Sequence, residues 1–254
     1  MSKPKKAVIF YLFSLLLFVL STLLINSIDT NPNSLFYYAL NAFFVSLTVF
    51  ALPSCFFMLQ GIFTKNGHTP DFSLLTPSPL SLIISSLLAP LIFLLGTVLS
   101  SLFFSLFNLP PMEGFRPTPS FWAILTTCII PSIAEELFFR GVLLSCWRCL
   151  GYVRVVTITA FLFAIMHTTL FSFLSIFMIG ILLSSIAFYS HSVFPCIAFH
   201  IFYNLAWLLL PTHFSCSVFI LVFGIFALVF VIAFLIVHLF RHFSKKTPSV
   251  QENY

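Results

Sequence analysis

Eight long apolar runs, almost free of charged residues, fill most of this chain. Most approach or exceed the roughly 20 residues that a helix needs to cross the hydrocarbon core of a bilayer. They lie at 7–26, 35–59, 79–107, 121–145, 152–169, 171–190, 193–210 and 215–240. Several breaks between them fall at turn-forming clusters, such as Asn31-Pro32-Asn33. The sequence therefore predicts an all-α, polytopic membrane protein with about eight transmembrane helices, in a single integral membrane domain over residues 1–254.

The composition excludes an ordinary soluble protein. Hydrophobic residues make up 60% of the chain and charged residues 7%, whereas a soluble domain carries about 25% charged residues. In lipid, a spanning segment must satisfy its own backbone polar groups, which a helix does with any apolar sequence. A β-barrel would need short alternating strands instead of long unbroken runs. The net charge of +5 sits beside the apolar runs, so we expect membrane lipid as a partner and no nucleic acid.

The placement of basic residues predicts the orientation. With the N-terminus in the cytoplasm, eight spans put nine basic residues on the inner side and only Arg116 on the outer side. Cytoplasmic loops are enriched in Lys and Arg. We therefore expect both termini in the cytoplasm and, in a bacterium, location in the inner cell membrane. The inner residues are Lys3, Lys5, Lys6, Lys65, Arg148, Arg154, Arg241, Lys245 and Lys246.

Two adjacent carboxylates, Glu135 and Glu136, lie inside the fourth apolar run. A charged group in the bilayer interior is costly, so such residues are functional candidates. Glu136 and Arg140 are four residues apart and share a helix face, so Arg140 can neutralise Glu136. Glu135 points about 100° away and has no local partner. We expect Glu136 and Arg140 to form a structural pair and Glu135 to carry chemistry.

Two histidines and an asparagine lie in later runs. His167 is in the fifth run, one turn after Phe163, and His200 is in the seventh, one turn before Asn204. At about 1.5 Å per residue, Glu135, His167 and His200 lie roughly 18, 21 and 10 Å from the inner ends of their helices. Helix tilt can absorb most of that difference. We expect these side chains to meet at one water-accessible cavity, with polar atoms of Glu135 and His167 roughly 3–6 Å apart.

Other potential ligands have simpler interpretations. Cys146 and Cys149 form a C-x-x-C pair without two further ligands nearby, so we interpret them as ordinary thiols. His238 and His242 flank the inner end of the last run, where an interfacial position explains them.

The segment from Glu135 to Gly141 resembles the E-E-x-x-x-R motif of the CAAX-processing and bacteriocin-processing family of intramembrane peptidases, which includes the type II CAAX prenyl endopeptidases. Phe163 to His167 resembles that family's F-x-x-x-H motif, and His200 to Asn204 resembles its H-x-x-x-N/D motif. The resemblance covers residues 120–210 and implies a catalytic core there. It also implies a conical helix bundle around an intramembrane active site. The first three runs carry no motif of the family.

The resemblance implies hydrolysis of a peptide bond in a peptide or protein substrate, which in some relatives is lipid-modified at its C-terminus. Glu135 would activate water, His167 would help to hold that water or take part in proton transfer, and His200 with Asn204 would stabilise the oxyanion. Glu136 and Arg140 would be structural or would assist the base. The reaction can run without a metal, or Glu135, His167 and His200 could bind zinc. Two alternatives remain: a non-catalytic binding, immunity or scaffold protein that uses this network as a brace, and a small transporter.

Overall fold

Seven helices make up the part of the chain that the structure describes. The computed structural model describes residues 3–28, 34–63, 79–107, 116–167 and 170–210, and these ranges contain no β-strand. The helices are α1 (Lys3–Ile28), α2 (35–63), α3 (Pro79–Leu106), α4 (Phe121–Leu150), α5 (Tyr152–Ile165), α6 (Leu170–Ser190) and α7 (Phe194–Leu209). They follow the first seven apolar runs in order, which confirms the all-α prediction for these ranges.

Four of these helices are long and apolar enough to cross a membrane: Lys5–Ile28, Leu35–Phe57, Pro79–Val98 and Phe121–Leu150. The protein is therefore an integral membrane protein. The helix α5 has 14 residues and reaches about 21 Å, less than the roughly 30 Å of hydrocarbon. The predicted eighth run at 215–240 lies outside the described residues, so eight spans and a conical bundle remain predictions.

The chain divides into two compact units. One contains residues 1–93 and 112–210, and the other contains residues 94–111 and 211–254. All six candidate site residues belong to the first unit. Of the second unit, the structure describes only residues 94–107, so a single domain over residues 1–254 remains a prediction.

Proline positions shape α2 and α4. A proline donates no backbone N–H, and its ring clashes with the carbonyl four residues earlier. Pro53 follows a π-helical stretch at Asn41–Ala51, and Pro131 follows another at Ile124–Ile129. The wider π-helical turn gives the ring more room. A third π-helical stretch follows at Leu137–Leu144. Between the two stretches of α4 lies a short α-helical segment, Ile130–Glu136, which carries both carboxylates.

Aromatic side chains fix α4 between its neighbours. Phe138 and Phe139 are fully buried, and their rings lie 5.5 and 5.7 Å from the ring of Phe50 on α2. Phe139 also meets Phe163 of α5 edge-on at 5.1 Å. Burial of such large rings supplies much of the packing around the acidic segment.

Small residues bring α5 and α6 into close contact. A Cβ atom added to Gly180 would lie 3.0 Å from the Cα of Ala160. Close by, the Thr159 hydroxyl donates to the Ser184 hydroxyl at 3.1 Å. Small side chains and hydroxyl hydrogen bonds are the usual means of helix association in lipid. His167 follows this pairing in the chain, two residues after the end of α5 at Ile165.

Candidate functional site

The first part of the site is a buried ion pair within α4. Nη1 of Arg140 donates to Oε1 of Glu136 at 2.9 Å, and both side chains are fully buried. Nη2 of Arg140 donates to the carbonyl of Gly180 at 3.2 Å. Its guanidinium also lies over the ring of Phe163, 4.5 Å from the centroid. The structure thus forms the pair that the four-residue spacing predicts, and ties it to α5 and α6.

His200 joins this pair from α7. Its Nδ1 lies 2.8 Å from Oε1 of Glu136, and because a carboxylate only accepts hydrogen bonds, Nδ1 is the donor. His200 is buried, with 7% of its surface exposed. We call Glu136, Arg140 and His200 the Glu136 cluster. No local spacing predicts the contact between Glu136 and His200, because the two residues belong to different motifs far apart in the chain.

The second part of the site is the Glu135–His167 pair. Nε2 of His167 lies 3.8 Å from Oε2 of Glu135, and the side chains are 31% and 13% exposed. This distance falls within the predicted 3–6 Å. Nδ1 of His167 lies 2.9 Å from the carbonyl oxygen of Phe163, which only accepts, so Nδ1 carries a proton. In the neutral ring Nε2 then has a lone pair, and it faces a carboxylate oxygen that also accepts.

The gap between Glu135 Oε2 and His167 Nε2 lies between two hydrogen-bond acceptors. At 3.8 Å it is too long for a direct hydrogen bond and fits one donor placed between two acceptors. Oε2 of Glu135 is buried and accepts no hydrogen bond from the described residues. A buried carboxylate oxygen without a donor is costly. The pair is therefore suited to bind a molecule that donates protons to both atoms, as water does.

Asn204 contacts a different part of α4. Its Nδ2 donates to the Ser132 hydroxyl at 3.1 Å and to the carbonyl of Thr127 at 3.4 Å. His200 and Asn204 are one turn apart on α7, and their partners Glu136 and Ser132 are one turn apart on α4. The two helices thus contact each other at two successive levels, in antiparallel order. We expected Asn204 to lie with Glu135 and His167 around one cavity. Among the described residues, its amide instead donates to Ser132 and Thr127.

Phe163 connects the two parts of the site. Its ring centroid lies 4.6 Å from that of His167 and 6.0 Å from that of His200. Its carbonyl fixes the proton on His167, and its ring packs on Arg140. In the sequence Phe163 stands out only as a motif position. Ser132 and the Gly180 carbonyl do not stand out at all, since no local spacing links them to the carboxylates.

The expected zinc ligands do not come together as a set. The described residues, which include Glu135, His167 and His200, contain no group of three or more His, Cys, Asp or Glu side chains placed to hold a metal ion. In this arrangement the side chains do not form a three-ligand zinc site. Cys146 is buried and Cys149 is exposed, and neither forms a disulfide, while His238 and His242 lie outside the described residues.

Comparison with known proteins agrees with the motifs. Residues 117–206 match the family model described as type II CAAX prenyl endopeptidase Rce1-like. The match includes all six candidate site residues and covers much of the predicted core at 120–210. No curated protein and no solved structure gives a significant match to the chain. The family match thus lies over the segment that carries the three motifs, and it is consistent with the CAAX-processing and bacteriocin-processing family that they resemble.

Proposed function

We propose that this protein is an intramembrane endopeptidase in which Glu135 and His167 activate a water molecule. The observation that carries the proposal is the 3.8 Å separation of Glu135 Oε2 and His167 Nε2, both of them acceptors. The Rce1-like match at residues 117–206 supports a peptidase. A water between these atoms would donate one proton to each and direct a lone pair of its oxygen toward a bound peptide.

In the proposed reaction, Glu135 takes a proton from this water as the water oxygen attacks the peptide carbonyl carbon. A tetrahedral intermediate forms and its carbonyl oxygen becomes negative. The carbon–nitrogen bond then breaks, and Glu135 returns the proton to the leaving amine. His167 keeps the water aligned throughout, because its Nδ1 is fixed on the carbonyl of Phe163.

His200 is the candidate donor to the oxyanion. Its Nδ1 proton is held by Glu136, so Nε2 can donate when the ring carries two protons. A carboxylate on the far nitrogen holds the ring in one orientation, as the aspartate does in serine proteases. Asn204 is the second candidate donor, and its amide must first release one of its two acceptors.

A purely structural role for this network is supported less well. A brace should have every buried polar atom paired, because unpaired ones are costly. Here Glu135 Oε2, Glu136 Oε2 and Arg140 Nε are buried without a hydrogen-bond partner among the described residues. Glu135 and His167 are also partly exposed, which suits a site that receives water and substrate.

The family match and the surroundings of the site support a proposal for the substrate class. The site lies among helices whose outer faces expose large apolar side chains, among them Phe121, Val153 and Phe202. A peptide that reaches such a site must tolerate a lipid environment. We therefore propose a membrane-associated peptide, with a lipid-modified C-terminus as the first candidate, cleaved by a protein whose termini face the cytoplasm.

The test is cleavage by the purified protein in liposomes. Peptides ending in a CAAX sequence would be supplied with and without a farnesyl group, and products identified by mass spectrometry. We expect cleavage by the wild type and none by Glu135→Ala, while His191→Ala, which changes an exposed histidine outside the site, stays active. Equal cleavage by Glu135→Ala and wild type, or no cleavage of any peptide tested, would contradict the proposal.

A further inference from the structure

Ser132 lies on α4 one turn before Glu136 and belongs to none of the three motifs. It is fully buried, and its hydroxyl oxygen accepts a hydrogen bond from Nδ2 of Asn204 at 3.1 Å. Among the described residues, Ser132 is the only side chain that accepts a hydrogen bond from the Asn204 amide, since the other acceptor is the backbone carbonyl of Thr127.

The second hydrogen bond of Asn204 is made to the backbone carbonyl of Thr127, in the π-helical stretch Ile124–Ile129. Nδ2 of Asn204 lies 3.4 Å from this carbonyl, beyond the usual range of 2.7–3.2 Å for such bonds. The bond to Thr127 is therefore the weaker of the two.

An amide nitrogen has two protons, and in the structure both have acceptors within the protein. If Asn204 is to donate to an oxyanion, one of these bonds must be exchanged for the substrate. The longer bond to Thr127 costs less to break. The bond to Ser132 would then keep the side chain of Asn204 in place during the exchange.

We propose that Ser132 is a positioning residue of the site, which holds Asn204 so that its second N–H is available to the substrate oxyanion. The inference rests on the proposed peptidase function. It assigns to Ser132 a part in transition-state stabilisation without direct contact with the substrate. The Glu136 cluster positions His200 on the neighbouring turn in a similar way.

The substitution Ser132→Ala removes only the hydroxyl and leaves the volume of the buried site almost unchanged. Without this acceptor the amide of Asn204 can rotate, and misplacement by about 1 Å can cost up to about 100-fold in rate. We expect kcat to fall about 10- to 100-fold, with KM unchanged within about twofold. If Ser132 had only a structural role, Ser132→Ala would lower the melting temperature but would not lower kcat selectively at an unchanged KM.

The matched control is Ser184→Ala. Ser184 is also fully buried and also accepts a hydrogen bond from a neighbouring helix, from Thr159 at 3.1 Å, and this bond involves no candidate site residue. We expect Ser184→Ala to keep wild-type kcat and to change the melting temperature about as much as Ser132→Ala does. An equal loss of kcat in both variants would overturn the role of Ser132.

A double-mutant cycle with Asn204→Ala completes the test. If Ser132 acts only through Asn204, the double variant should be no slower than Asn204→Ala alone. If the losses in kcat of the two single variants multiply in the double variant, the inference is overturned. Wild-type kcat in Ser132→Ala would overturn it as well. A wild type that cleaves no peptide would refute the proposed function first and the inference with it, whereas an active wild type with an unaffected Ser132→Ala would refute the inference alone.

Discussion

Glu136 and His200 share a 2.8 Å hydrogen bond although 64 positions separate them in the chain. The same carboxylate oxygen accepts from Arg140 at 2.9 Å. One buried carboxylate thus neutralises a permanent cation and fixes the proton of an imidazole on another helix. This arrangement predicts different consequences for the loss of Arg140 and of His200.

Arg140→Ala should destabilise the fold. It leaves Glu136 buried with no permanent positive charge beside it, and breaking a buried ion pair typically costs about 3–5 kcal/mol. It also removes the hydrogen bond to the Gly180 carbonyl and the packing on Phe163. Thermal unfolding in detergent would measure the effect. Arg148→Ala, which removes a half-buried arginine near the end of α4, is the control and should cost clearly less. Equal melting temperatures for Arg140→Ala and wild type would contradict the buried pair.

His200→Ala should lower kcat strongly and thermal stability only slightly, the reverse of Arg140→Ala. Glu136 remains paired with Arg140, so we expect a smaller fall in melting temperature than for Arg140→Ala. Loss of an oxyanion donor typically costs about 100- to 1000-fold in kcat. Peptide cleavage and thermal unfolding, measured on the same preparations, would separate the two effects. Retention of wild-type kcat would remove His200 from the proposed mechanism.

Gly180→Ala should weaken the contact between α5 and α6. The new Cβ would lie 3.0 Å from the Cα of Ala160, which is backbone and cannot turn aside. Overpacking of this kind typically costs about 1–3 kcal/mol. It would also displace the carbonyl that Arg140 binds. Gly96→Ala is the control, because a Cβ there meets nothing within 4 Å; it should be neutral or slightly stabilising. A stable Gly180→Ala would show that the two helices can move apart at little cost.

The orientation in the membrane is tested by reporter fusions. The excess of basic residues on one side of an eight-span topology predicts cytoplasmic termini. Fusions after Thr30 and Phe115 should report the outer side, and a fusion after Gly151 the inner side. An inner-side signal at Phe115 would rule out this topology.

Local patterns in the sequence predicted the elements of the site better than their contacts. Apolar length predicted the helices, and the four-residue spacing predicted the bond between Glu136 and Arg140. The bonds from His200 to Glu136 and from Asn204 to Ser132 join α7 to α4. They depend on how two distant helices align, which no local spacing reveals. Helix depth did suggest that Glu135 and His167 could meet, because both lie at similar distances from their helix ends.

The π-helical stretches of α4 were not predicted either. Pro131 is visible in the sequence, but a proline in a helix can produce a kink, a break or a wider turn. The structure has a wider turn before Pro131 and another after Glu136. The choice depends on the packing around α4, including the rings of Phe50 and Phe163.

The central claim is that Glu135 and His167 act together on one water molecule, and a double-mutant cycle on peptide cleavage tests it most directly. Glu135→Gln, His167→Ala and the double variant would be compared with wild type in the same liposomes, after thermal unfolding has confirmed that each is folded. Groups that act as a unit give strongly non-additive losses. We predict that each single variant loses about 100-fold or more in kcat and that the double variant loses no more than the more impaired single variant. Losses that multiply in the double variant, or wild-type turnover in either single variant, would contradict the account.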